Sequence, residues 1–208
     1  IIPAPTDTLV ILEPSPNTTG AVHTIAGAGT VFIDDQIGYK FHKYGATPDS
    51  GKCVYRKTVN GGLTWGNQVV VDNQTDCSGI SVWYDQWTPG DTGSYIHIAT
   101  YDIGDDDIFY NRLDTSNDTL LLTTSTTTMP ATTTVLAVGT NYVSIAKATD
   151  GELYVNIDDG NGTHIRSCAS SCDVSTNWVT TGTAPQGNAD SWSILLPLSS
   201  GNIMLINR

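Results

Sequence analysis

Short runs of β-branched and aromatic residues alternate along the 208-residue chain with clusters of Gly, Asn, Asp and Pro. Runs of strand length bounded by turn formers predict strands. They fall at 30–34, 38–44, 52–57 and 68–71, then at 80–86, 95–101, 108–112 and 120–124. A third set follows at 142–148, 152–157, 164–168 and 179–181, and a fourth begins at 192–198 and 203–206. No segment keeps a helical period, and no apolar run approaches the ~20 residues that a membrane-spanning helix needs. The pattern is all-β and repeats in groups of four strands.

The connection between third and fourth strands is the same kind of turn each time. In the first group Thr58, Asn60, Gly62, Thr64 and Trp65 stand in the order hydroxyl, x, Asn, x, Gly, x, Thr, Trp. Asn60 can bond backbone amides further along the turn, the glycines take positive φ at no steric cost, and Trp65 covers one side. Asp114 anchors a degenerate second copy, and Ser171, Asp173 and Trp178 keep hydroxyl, acid and tryptophan in register in a third. The anchors Asn60, Asp114 and Asp173 are 54 and 59 residues apart. One four-stranded propeller blade typically takes about 40–50 residues.

In these residues the chain resembles the Asp-box (BNR-repeat) β-propellers, the superfamily that includes sialidases, sortilin-type receptors and several glycoside hydrolases. The resemblance implies a β-propeller of four-stranded antiparallel blades. About three and a half blades are present, at approximately 29–75, 76–128, 129–185 and an incomplete 186–208. Residues 1–28, with four prolines around the apolar run 9–12, read as an extended arm with one short strand. The Thr-rich 123–134 reads as a crossover between blades. Asp-box propellers usually close with six or more blades, and closure removes exposed sheet edges. The expectation is therefore part of a larger ring, completed by more polypeptide or by another copy.

Four cysteines narrow the setting. Disulfides are their simplest use, pairing Cys53 with Cys77 and Cys168 with Cys172, one of three connectivities. Zinc ligation fits the spacing poorly, and free buried thiols are the other alternative. Sequons at Asn17, Asn73, Asn117 and Asn161 are glycosylation candidates. Together these features point to a secreted, extracellular or particle-surface protein.

A formal net charge of −12 with only nine Lys and Arg argues against nucleic acid as a partner. Asp105, Asp106 and Asp107, and Asp158 and Asp159, stand in equivalent turns where a structural Ca2+ could find hard oxygen ligands. Solvated hairpin tips explain them as well, and no cofactor is required.

Candidate catalytic carboxylates at the ends of inner strands are Asp34, Asp35, Asp85 and Asp150, although Asp there is also ordinary turn chemistry. The sialidase resemblance implies an arginine triad and a tyrosine–glutamate pair. Here Arg56, Arg112 and Arg166 sit on equivalent third strands, as structural residues would, and glutamate occurs only at Glu13 and Glu152. His97 and His42 read as interior histidines. Trp87, beside the Pro89–Gly90 turn, is the candidate platform for stacking a sugar. The reading is a non-catalytic binding or structural module, with carbohydrate, protein or copies of itself as partner. The alternative is a sialidase-like glycoside hydrolase whose catalytic residues lie partly outside this chain.

Overall fold

The computed structural model describes residues 29–44, 51–71, 77–102, 107–121, 127–129, 142–158, 163–183 and 193–207. They form four antiparallel sheets that follow one another in sequence as propeller-like blades. The first runs β1 (Thr30–Phe32), β2 (Gly38–Tyr44), β3 (Lys52–Thr58) and β4 (Val69–Val70). The second runs β5 (Cys77–Tyr84), β6 (Tyr95–Asp102), β7 (Asp107–Asp114) and β8 (Thr119–Leu120), with β9 (Thr127–Met129) also paired to β7. The third is β10 (Tyr142–Lys147), β11 (Leu153–Asp158), β12 (Thr163–Cys168) and β13 (Val179–Thr183), and the fourth is β14 (Ser193–Pro197) with β15 (Ile203–Asn207). The arm expected at 1–28 lies outside the described residues.

Several strand boundaries depart from the sequence pattern, and for three of them the cause is local. β1 stops at Phe32 because Asp34 Oδ1 accepts the backbone N–H groups of Gln36 (2.7 Å) and Ile37 (2.6 Å), which turns the chain early. β5 stops at Tyr84, where Asp85–Trp87 wind into a 3-10 turn. The outer strand of the second sheet is split, with β8 pairing to Leu113 and Asp114 and β9 to Ile108–Tyr110. Part of the Thr-rich crossover is therefore a strand that covers the free half of β7.

Alternation of side chains across each strand assigns them to two cores. Tyr39, Phe41 and Tyr55 of the first sheet pack with Ile80, Val82, Ile96 and Ile98 of the second. Ala99, Tyr101, Ile108 and Tyr110 face the other way, onto Val143, Ile145, Leu153, Val155 and Trp178 of the third. The second sheet is covered on both faces, so β6 is buried from Ile96 to Asp102 and its polar positions are interior.

Polar pins join neighbouring sheets. Asp118, at φ 61°, accepts from Tyr39 Oη (2.6 Å) and Lys57 Nζ (2.5 Å) of the first sheet. The Ile145 N–H donates to Ser81 Oγ (3.2 Å), and the Leu195 N–H donates to Ser144 Oγ (3.3 Å), so one device is used twice between successive inner strands. The disulfide Cys53–Cys77 links β3 to β5, and Cys168–Cys172 closes the turn after β12. Both pairings match the expectation, and they fit an oxidising setting.

The first anchor turn has the expected chemistry. Thr58 Oγ1 donates to Asn60 Oδ1 (3.0 Å) and accepts the Gly62 N–H (2.9 Å), while Asn60 Oδ1 also accepts the Thr64 N–H (2.9 Å). Gly61 and Gly62 take φ of 67° and 89°. In the second turn Asp114 Oδ1 accepts the Ser116 N–H (2.9 Å). In the third, the Cys168–Cys172 bridge closes the turn and the Trp178 indole donates to the Cys172 carbonyl (2.9 Å). Asn60→Ala removes the acceptor shared by two donors and is expected to cost about 1–2 kcal/mol in urea unfolding. An unchanged midpoint would show that the Thr58–Gly62 bond and Trp65 packing hold the turn without Asn60.

Candidate functional site

The loop from β5 to β6 is built around one carboxylate. Asp85, 1% exposed, directs Oδ1 to Lys147 Nζ (2.6 Å) and His97 Nε2 (2.9 Å), while Oδ2 accepts the Tyr95 backbone N–H (2.9 Å). Lys147 ends β10 of the next sheet and also reaches Asp91 Oδ2 at 2.8 Å. His97 Nδ1 lies 2.8 Å from Tyr110 Oη. Gly93 completes the packing, since a Cβ there would come 2.2 Å from Asp85 Oδ2. Strand register sets these neighbours: His97 lies on β6 and Tyr110 on β7, and the fold brings in Lys147 from 62 residues away.

The charges in this cluster are unequal. Burial opposes ionisation of Asp85, but the hydrogen bonds from His97 and Lys147 outweigh it and hold the carboxyl at about 2. Burial lowers His97, and the charges of Lys147 and Arg112 add to that against the pull of Asp85. His97 is therefore neutral near pH 7, and the countercharge to Asp85 is Lys147. Burial also works against Lys147, yet its bonds to Asp85 and Asp91 raise it. An ionised carboxylate only accepts, so Nε2 of His97 carries the hydrogen and Nδ1 accepts from the Tyr110 hydroxyl. Burial pushes that hydroxyl well above the usual phenol range.

A tyrosine–histidine–aspartate chain can relay a proton when a substrate reaches its end. Here Tyr110 is 1% and the His97 side chain 5% exposed, so the relay is sealed from solvent, and the Lys147–Asp85 pair ties the second sheet to the third.

The same loop presents an aromatic surface. Trp83 packs toward the third sheet and Tyr84 toward the first, and Trp87 lies beyond the strand end against both. Its ring stands at 90° to Trp83 (centroids 5.6 Å apart) and at 84° to Tyr84 (6.5 Å), and it stays 37% exposed. Trp83 Nε1 donates to Thr88 Oγ1 (2.9 Å), which donates to the Lys147 carbonyl (2.8 Å), so the third sheet also holds the segment after Trp87.

The other sequence candidates are not drawn into this cluster. Asp34 and Asp150 are exposed and bonded within their own turns, Asp150 Oδ1 accepting the Glu152 N–H (3.0 Å), and Asp35 is exposed beside Asp34. Glu152 accepts from Tyr154 Oη (2.8 Å). Burial and this bond push the Tyr154 hydroxyl up to about 12, the opposite of an activated nucleophile. Asp105, Asp106, Asp159, Asn17, Asn73 and Asn161 lie outside the described residues. Among those described, no group of three or more His, Cys, Asp or Glu is placed to hold a metal ion. Asn117 is exposed in the β7–β8 turn, its Oδ1 accepting the Thr119 N–H (3.0 Å). Lys147, Tyr110 and Asp91 carry no motif. The only sequence signal for Lys147 is the scarcity of cations in a chain this acidic.

No family model matches the sequence, and no curated protein matches it. Among the described residues no helix is long and apolar enough to cross a membrane. Among the solved structures that match, one is described as that of a new family of polysaccharide lyase, PL25 ulvan lyase, with a TM-score of 0.52 and 17% identity. The match covers 86% of this chain and 48% of that protein, so the chain spans about half the length of the structure it matches. At that identity the shared property is the fold: this chain has the all-β architecture of successive antiparallel sheets found in that lyase.

Proposed function

We propose that this protein is an extracellular, propeller-like module that binds carbohydrate without cleaving it, through the surface centred on Trp87. The observation that carries the reading is Trp87 itself, exposed at the end of an inner strand and braced at right angles by two aromatic rings. Neither neighbour stacks in parallel on it, and an indole left 37% exposed can pack against the apolar face of a sugar ring. Support also comes from the fold shared with a polysaccharide lyase and from the inaccessibility of the Tyr110–His97–Asp85 chain. The Asp-box resemblance, a ring of six or more blades and display on a cell or particle surface belong to the same reading. The fourth sheet leaves Leu196, Met204 and Ile206 exposed, a face of the kind that a further blade would cover.

Affinity electrophoresis against a panel of soluble polysaccharides tests the proposal. Trp87→Ala is expected to weaken the best ligand by at least about tenfold, or 1.4 kcal/mol, as loss of a central aromatic anchor does. Equal binding by wild type and variant would end the reading.

A polysaccharide-cleaving reading has one observation in its favour, the fold shared with that lyase. On this second reading the protein is a glycoside hydrolase, or a lyase, whose reacting groups lie partly beyond these 208 residues. Release of new reducing ends from the same panel would establish it in place of simple binding.

A further inference from the structure

We propose that the Trp87 surface takes neutral glycans and turns away uronate-rich or sulfated ones, an inference that rests on the glycan-binding reading above. Recognition of a carboxylate or sulfate in a sugar calls for an unspent cation, best a guanidinium fork. The segment from Asp85 to Tyr95 contains two aspartates and no Lys or Arg. The cation that the fold supplies to it, Lys147, is 16% exposed and shared by both of those aspartates, at 2.6 Å from Asp85 and 2.8 Å from Asp91. Two carboxylates against one ammonium leave the root of the loop negative. Arg112, the cation on the neighbouring β7, lies against the Tyr95 ring 4.5 Å from its centroid. The net charge of −12 sets a field of the same sign around the whole chain, which slows the approach of polyanions.

A neutral sugar meets a different surface. Its hydroxyls donate, and Asp91, 21% exposed at its side chain, keeps lone pairs to accept them on oxygens that already take Lys147 Nζ (2.8 Å) and the Gly93 N–H (2.8 Å), in the loop that also exposes Gln86 and Thr92. An exposed indole and acceptors on the same loop suit a polyol, and the loop's two carboxylates repel a uronate.

Binding of a matched pair, polygalacturonate and its carboxyl-reduced neutral form, tests the proposal at low ionic strength with wild type, Trp87→Ala and Asp91→Asn. The wild type is expected to bind the neutral polymer at least about tenfold more tightly, through Trp87. Asp91→Asn is expected to narrow that gap several-fold by freeing part of the Lys147 charge. Trp87-dependent binding that is equal or tighter for polygalacturonate would overturn the charge inference and leave the glycan-binding reading standing. A gap that Asp91→Asn leaves unchanged would overturn the assigned cause. Absence of Trp87-dependent binding to either polymer, and to the wider polysaccharide panel, would overturn both.

Discussion

Lys147→Met is expected to destabilise the protein by about 3–5 kcal/mol, the usual cost of removing one partner from a buried ion pair. The reason is what remains: Asp85, 1% exposed, keeps its charge with only a neutral His97 and one backbone N–H as partners. Asp91 loses a partner as well. Urea unfolding reads the loss, and a double-mutant cycle with Asp85→Asn separates the pair from packing. The double variant should be less damaged than the sum of the single ones. Strict additivity would mean that Lys147 acts only through its aliphatic stem.

The same cluster sets an acid limit on stability. Asp85 falls from an ordinary carboxylate value near ~4 to about 2 on folding, so its contribution is full above the unfolded value and is lost as pH drops through that interval. His97 is lowered too, so below about 6.5 the unfolded chain takes up a proton that the folded chain resists. Both signs agree: in acid the unfolded state binds more protons. The urea midpoint should begin to fall below about pH 6.5 and fall further below about pH 4. In Asp85→Asn the second decline should be reduced.

Cys53→Ala with Cys77→Ala is the other change expected to be large. The bridge spans 24 residues, for which loop-closure entropy predicts about 3.5 kcal/mol, against about 2 kcal/mol for the four-residue span of Cys168–Cys172. Position adds to length, since both sulfurs are buried where the first sheet meets the second. Urea unfolding of the two double-alanine variants should rank the losses in that order. The reverse order would mean that the short bridge is chiefly a brace for Trp178, whose indole donates to the Cys172 carbonyl and whose ring packs 5.4 Å from Tyr110.

Strand order in the first and third sheets and the first anchor turn are local properties, and the sequence alone determined them. β2 at Gly38–Tyr44 and β15 at Ile203–Asn207 follow from β-branched and aromatic runs ended by turn formers. The Thr58–Asn60–Thr64 bonds join residues no more than four apart. Asp85 was also visible, but as one strand-end aspartate among several, because nothing near it in sequence tells a turn residue from a buried hub. Its role depends on Lys147, 62 positions away on another sheet, and on the register that sets His97 and Tyr110 beside it. The tertiary structure alone decided that these groups meet, that the relay is sealed and that Trp87 stays open. The physical reason is range: propensity and turn chemistry act over a few residues, whereas burial and charge pairing depend on which sheets pack together.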